Sequence, residues 1–168
     1  NFLASAYTEG PVGKKLSYVL SARVSPLTYE YRAVRKFLPQ MLGGLDNFNA
    51  KVGDLYGKLH FQVNEKSALD ASFLGSMDSY GYDTQGDSHD EMSWDNLLGI
   101  VRYRFDGEVT SFNLTASANR YGSRQKQDKT YRGEVSHYSL RSSLMEYGLK
   151  AGLQHRFLDE RLVIGEGL

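Results

Sequence analysis

The stretch 145–157, MEYGLKAGLQHRF, places Met145, Tyr147, Leu149, Ala151, Leu153 and Phe157 on one side, with His155 as the only break, against Glu146, Lys150, Gln154 and Arg156 on the other. Strict alternation is the spacing of a β-strand with one apolar and one polar face, because successive side chains point to opposite sides of a sheet. Alternation here persists well past the ~5–6 residues of an ordinary soluble strand. It matches the ~9–11 residues that a barrel strand needs to cross a bilayer. A charge at Lys150, in the middle of the polar face, suits a wet interior better than a dry core.

The same period recurs toward the N-terminus. Phe112, Leu114, Ala116 and Ala118 alternate with Ser111, Asn113, Thr115, Ser117 and Asn119. Leu97, Gly99, Val101, Tyr103 and Phe105 oppose Asn96, Arg102 and Arg104, with Leu98 and Ile100 interrupting the polar side. Leu69, Ala71, Phe73, Gly75 and Met77 oppose Asp70, Ser72, Ser76 and Asp78, and Leu55, Gly57, Leu59, Phe61 and Val63 oppose Asp54, Tyr56, Lys58, His60 and Gln62. From Lys15 to Val24, Leu16, Tyr18, Leu20, Ala22 and Val24 face away from Lys15, Ser17, Ser21 and Arg23, with Val19 as the exception. Weaker strands are expected at 2–8 and from Leu162 onward.

Connections alternate in length. Short polar turns are expected at Gly10-Pro11-Val12-Gly13, Asn64-Glu65-Lys66, Asp106-Gly107-Glu108 and Leu158-Asp159-Glu160, all suited to tight hairpins. Long polar loops are expected at about 25–51, 80–93 and 122–137. Bacterial outer-membrane barrels have this asymmetry, with short periplasmic turns and longer external loops. Tyr18, Phe61, Tyr103, Phe105 and Tyr147 lie on the apolar side, several of them near a turn, where an interfacial aromatic girdle would sit.

Composition excludes more than it selects. Lysine plus arginine (20) equals aspartate plus glutamate (20), so no global charge draws the chain onto nucleic acid. There is no cysteine among the 168 residues, hence no disulfide and no thiolate metal site. No apolar run approaches the ~20 residues of a membrane-spanning helix.

Candidate chemistry is sparse. Asp83, Asp87, Asp90 and Glu91, with His89 among them, crowd one polar segment and form a candidate calcium site of hard oxygen ligands, although the spacing is not that of a helix-loop-helix site. Solvated acidic side chains are the plainer reading. The basic segment 122–137, with Arg124, Lys126, Lys129 and Arg132, can pair with that acidic one, meet lipopolysaccharide phosphates, or be merely solvated. His60, His89, His137 and His155 fall in separate segments, and Gly43-Gly44 is not followed by Gly-Lys-Ser/Thr, so neither metal catalysis nor a phosphate loop is indicated. No glycine-flanked serine nucleophile occurs, and no enzymatic activity or cofactor is expected. The charges Arg23, Lys58, Asp70, Arg102, Arg104, Glu146, Lys150 and Arg156 all fall on polar strand faces and are expected to line a barrel lumen.

Several segments carry a family likeness: Glu9-Gly10-Pro11, Tyr18 to Arg23 (YVLSAR), Phe37-Leu38-Pro39, Tyr56-Gly57-Lys58-Leu59 with Asn64-Glu65-Lys66, Trp94-Asp95-Asn96, Val101-Arg102-Tyr103-Arg104, Asn119-Arg120-Tyr121 and Tyr147-Gly148-Leu149-Lys150. In this order and spacing, the sequence resembles the early barrel of TonB-dependent outer-membrane receptors, particularly the type abundant in Bacteroidetes. The resemblance implies that residues 1–168 form part of one transmembrane β-barrel domain of about eight strands. The plug, the TonB-contacting segment and the remaining barrel strands would lie outside this segment. It implies an outer-membrane location in a Gram-negative bacterium, with membrane lipid, the parent's plug, TonB acting through that plug, and a surface lipoprotein as partners. The implied function is import of a scarce nutrient, such as a siderophore, a cobalamin, a peptide or a glycan, by TonB-driven plug rearrangement.

Two other readings compete. A complete eight-stranded barrel serving as anchor or adhesin would close on itself, and a soluble β-sandwich would bury its apolar faces against each other.

Overall fold

The computed structural model describes residues 4–25, 27–37, 45–84, 88–131, 133–157 and 162–167. They form eight antiparallel strands in sequence order: β1 (Ala4–Val12), β2 (Leu16–Ser25), β3 (Leu45–Asn64), β4 (Ser67–Thr84), β5 (Ser88–Asp106), β6 (Thr110–Tyr131), β7 (Glu134–Phe157) and β8 (Leu162–Gly167). A helix, α1 (Leu27–Phe37), lies between β2 and β3. Each strand pairs only with its chain neighbours, so the sheet is an open meander with β1 and β8 at its edges. The eight strands therefore do not close into a small barrel among the described residues.

Cross-strand partners share a face, so the register assigns every side chain to a side. One row runs Leu16, Phe61, Leu69, Tyr103, Leu114, Ala151; the third row above it runs Ala22, Leu55, Gly75, Leu97, Arg120, Met145. All the alternating apolar residues of β2 to β7 fall on this one face. The belt extends from Leu16 to Val24 on β2, Phe61 to Gly53 on β3, Leu69 to Met77 on β4, Phe105 to Leu97 on β5 and Leu153 to Met145 on β7. Each of these spans covers ~26 Å at the usual rise per strand residue. With the ~40° tilt of barrel strands it is about 20 Å tall, close to the ~25 Å band of an outer-membrane barrel.

The belt also steps sideways. Met77 on β4 is still within it, but its partner on β5 is Asp95, while Leu97 on β5 pairs with Gly75. An apolar band oblique to the hydrogen-bond rows is what tilted strands of a closed barrel require.

Among the described residues there is no second layer. Of the described hydrophobic residues only Ala50 and Ala68 are buried, whereas Tyr147 is 79% exposed, Leu149 70% and Met77 69%. A β-sandwich would have hidden these side chains between two sheets, and that reading is set aside. Turns are short where expected: Glu65 and Lys66 join β3 to β4, and Gly107 to Val109 join β5 to β6. The first turn is displaced from its expected place: Gly10, Pro11 and Val12 are strand, and the chain reverses at Gly13-Lys14-Lys15, where Gly13 takes φ +80°. Only glycine occupies that backbone region without strain. The turn expected at 158–160 lies outside the described residues.

The long polar loops are the main correction. Strand β4 continues to Thr84 and β5 begins at Ser88; β6 continues to Tyr131 and β7 begins at Glu134. Most of 80–93 and 122–137 is hairpin that prolongs the sheet beyond the belt, and the segment 25–51 holds α1 and the start of β3. Strand β3 outruns β2, whose last partner is Ser25 opposite Val52. Its uncovered edge is met by α1: the Thr28 hydroxyl accepts the Ala50 N–H at 2.8 Å and lies 2.8 Å from both the Ala50 carbonyl and Asn49 Oδ1. No described helix is long and apolar enough to cross a membrane.

Candidate functional site

The second face of the sheet concentrates charge. Arg23, Lys58, Asp70, Arg102, Arg104, Glu146, Lys150 and Arg156 all lie on it, opposite the belt, because each alternates with belt residues in the register. They are not one cluster. Arg23 on β2 donates Nε to Asp54 Oδ1 at 2.9 Å and pairs through its terminal nitrogen with Asp54 Oδ2 at 2.9 Å. Bidentate geometry of this kind is the strongest arrangement a guanidinium makes with a carboxylate.

Asp70, on β4, is the centre of the densest group. Its side chain is 12% exposed and meets His60 Nδ1 at 2.9 Å, Arg104 at 3.1 Å and Lys58 Nζ at 3.7 Å. His60 is its direct partner on β3, Lys58 is diagonal to it, and Arg104 is diagonal from β5. Three donors from two flanking strands thus tie β3, β4 and β5 together at the turn end of the sheet. Arg102 lies directly across from Asp70 but turns to Thr115, donating Nε at 3.3 Å. Glu146 accepts from Asn119 at 3.3 Å, and Arg156 reaches the Glu108 carbonyl at 3.4 Å. Lys150 stands opposite Thr115.

Apolar interruptions on this face have their own order. Leu98 is paired directly with Leu74 across β4 and β5, Ile100 follows it on the same side, and Val19 lies on that side farther off on β2. A cross-strand aliphatic pair shields its own hydrogen-bond ladder, which accounts for Leu98 within a polar row.

Beyond the belt the charged face becomes aromatic. Tyr80 packs edge-on against Trp94 with centroids 5.9 Å apart and stacks on Tyr82 at 6.4 Å, and its hydroxyl donates to Met92 Sδ at 3.2 Å. Leu27 of α1, Phe48 and Val52 line the same hollow as Tyr80, Tyr82 and Trp94. Next to it, Asp90 accepts from Gln127 Nε2 at 2.5 Å and pushes the Tyr82 phenol up. Asn96 Oδ1 and Asn119 Oδ1 are buried on this face without a hydrogen-bond partner among the described residues. The sequence does not foretell this patch, since Leu27, Phe48, Tyr80 and Tyr82 fall in segments that read as loop, while Trp94 and Val52 lie just beyond them. Extending the hairpin register past the belt would have aligned Tyr80 with Met92 and Asp78 with Trp94.

The three candidate calcium ligands among the described residues do not converge. Asp83 and Glu91 stand on the belt side of the extension and Asp90 on the opposite side, as alternation along β5 demands. Asp87 lies outside the described residues. Each described carboxylate is engaged: Asp83 by His89 Nδ1 at 2.5 Å and Asn47 Nδ2 at 2.7 Å, Glu91 by Lys126 at 3.4 Å, and Asp90 by Gln127. Among the described residues no three acidic or histidine groups are placed to hold a metal ion. Instead, Asp83, His89, Asp128 and His137 form a ladder, one residue per strand, with His137 Nδ1 at 2.8 Å from Asp128. The bond to Asp83 raises the His89 imidazole above its ordinary value, and the bonds from His89 and then Asn47 hold the Asp83 carboxyl below its own.

A single-layer sheet with one greasy and one charged face can separate two solvents, and its outer extension offers aromatic and polar contacts to a solute. No family model matches the chain, and neither a curated protein nor a solved structure is detectably similar to it.

Proposed function

We propose that this chain is a wall segment of a transmembrane β-barrel in the outer membrane of a Gram-negative bacterium, within a TonB-dependent transporter that imports a scarce nutrient. The observation that carries the membrane part is the two-sidedness of the sheet. Within the belt the alternating apolar side chains of β2 to β7, with Tyr147, Leu149 and Met77 the most exposed of them, share one face in a band about 20 Å tall, and at the same height the other face carries ion-paired charges that bulk water or a hydrated lumen would solvate. Lipid covers the belt, further strands extend the β1 and β8 edges, and a plug seats against the charged face. The transporter assignment rests on the sequence resemblance. In that reading the Tyr80, Tyr82 and Trp94 hollow belongs to solute capture, TonB acts through the plug, and a surface lipoprotein can cover the extensions.

Because the chain has no cysteine, single-cysteine variants test the membrane part directly. With the whole protein reconstituted in vesicles, cysteines at Tyr147, Leu149 and Ala151 are expected to resist a charged maleimide and, once carrying a membrane-permeant fluorescent maleimide, to be quenched by brominated lipid. Cysteines at Glu146 and Lys150 should react. Uniform reactivity along β7 would defeat the proposal. The transport part predicts solute uptake by the parent protein that stops when TonB is deleted; uptake persisting without TonB would remove that assignment and leave the wall intact.

A further inference from the structure

At the upper limit of the belt and just beyond it, on the same face, stand three arginines with no ion pair among the described residues. Arg120 sits between Leu97 and Met145 in the register, and Arg124 on β6 is directly opposite Arg141 on β7. Like charges facing each other across an antiparallel pair are unfavourable unless an anion lies between them. All three line one shallow cleft with Ser79, Ser93 and Asp95, which also includes Met77 at the belt's upper limit. Asp95 is the single acidic group there, so positive charge prevails. Directly below, Leu97, Met145, Tyr147 and Leu149 are 55%, 62%, 79% and 70% exposed.

We infer that this cleft binds the phosphate of an anionic membrane lipid, with Arg124 and Arg141 bridging the headgroup, Arg120 at its lower edge, and the acyl chains lying on Leu97, Met145, Tyr147 and Leu149. The inference rests on the membrane reading given above. Planar guanidinium forks are suited to holding phosphate oxygens in pairs. The abrupt junction of charge and grease on one face fits an amphiphile and not a free anion. The surface differs from the segment 122–137 as a whole, since Lys129 faces the opposite side of the sheet and Lys126 is paired with Glu91.

The test is lipid selectivity at the protein boundary. The whole protein is reconstituted in phosphatidylcholine vesicles containing spin-labelled phosphatidic acid or, in parallel, spin-labelled phosphatidylcholine. The immobilised fraction should favour phosphatidic acid by about thirtyfold, the effect of two arginines acting near a membrane surface. The double variant Arg124→Gln/Arg141→Gln should lose most of that preference, and Lys129→Gln, which removes one charge from the opposite face, should keep it. An unchanged preference in the double variant would overturn the inference, as would equal loss in Lys129→Gln or displacement of the lipid by millimolar sodium phosphate. A protein that stays in water and never enters the vesicles would overturn both this inference and the membrane reading. Insertion without lipid selectivity would overturn this one alone.

Discussion

The lower and upper halves of this sheet are built from the same hairpins but obey different rules. In the belt, side chains alternate between an apolar face and a charged one interrupted at Val19, Leu74, Leu98 and Ile100; in the extension, formed by the far ends of β3 to β7, polar, aromatic and aliphatic side chains mix on both faces, with Val135 on the belt side and Leu140 on the other. On the belt side the change occurs within one cross-strand row, where Met77 meets Asp95 and Gly122. Backbone pairing continues through that boundary without a break. Side-chain solvation therefore differs between the halves while hydrogen bonding does not, and substitutions of one chemistry should have unequal costs above and below the line.

The largest contrast is expected for a charge placed on the belt side. Leu149→Arg puts a guanidinium at the middle of the apolar band, where the cost in a bilayer is ~2–4 kcal/mol. Val135→Arg, on the same strand and the same face but in the extension, should change stability by no more than ~0.5 kcal/mol. Urea titration of the vesicle-folded protein reads both. Equal effects would mean that the two halves share one solvent and would break the comparison.

The next contrast concerns carboxylates. Asp70→Asn leaves Arg104, Lys58 and His60 without the anion they surround in a side-chain environment that is only 12% exposed, and roughly 1–3 kcal/mol of stability should be lost. Asp83→Asn in the open extension should leave the unfolding midpoint where it was. If the two variants behave alike, the polar face is as wet at Asp70 as it is at the hairpin tips.

What was legible in the sequence follows the same division. Period-two alternation revealed the strands and their faces wherever one solvent is oily, and it placed Arg23, Lys58 and Arg156 on a common side without any view of the register. It could not reveal strand in 80–84, 88–93 or 122–131, because Gln125-Lys126-Gln127-Asp128 has no apolar member to set a period, and a strand wet on both faces reads as loop. Helix α1 escaped for a related reason: Leu27, Tyr31 and Val34 have helical spacing, but the segment was set among polar residues and judged by strand periodicity. The described calcium candidates are held apart because crowding in sequence becomes separation in a strand, where Asp90 and Glu91 point to opposite sides. Tyr147 stands one row inside the upper edge of the belt, next to Met145, while Phe61, Tyr103, Phe105 and Phe112 gather at the turn end.

A smaller effect marks the edge where the halves join. Thr28→Val removes the hydroxyl that satisfies the Ala50 N–H beyond the end of β2, at about 1 kcal/mol. Hydrogen exchange of the Ala50 amide should accelerate by a similar factor while amides of β5 and β6 are unaffected. Uniform acceleration throughout the sheet would show that the edge is not a local feature.

The smallest effect is a pH dependence confined to the extension. His89 faces Asp83 on β4 and Asp128 on β6, with Glu91 beside it on its own strand, and its raised pKa comes first from the Asp83 bond. A histidine with a raised folded-state pKa contributes stability that is complete below the ordinary imidazole value of ~6.5 and is lost as pH climbs through the raised one. Asp83, held low by His89 and Asn47, contributes stability that is present above the ordinary carboxylate value of ~4 and lost as pH falls through the lowered one. The pair is therefore complete between roughly pH 4 and 6.5, and the β4–β5 hairpin tip should exchange its amides slowest there and faster toward pH 8 after correction for intrinsic rates. The His89 ring resonance should titrate above the ordinary midpoint in the native chain and move down in Asp83→Asn. Since His89 and Asp83 are largely open to water, the belt should show no matching change, and a pH response spread over the whole sheet would mean that extension and belt unfold as one unit.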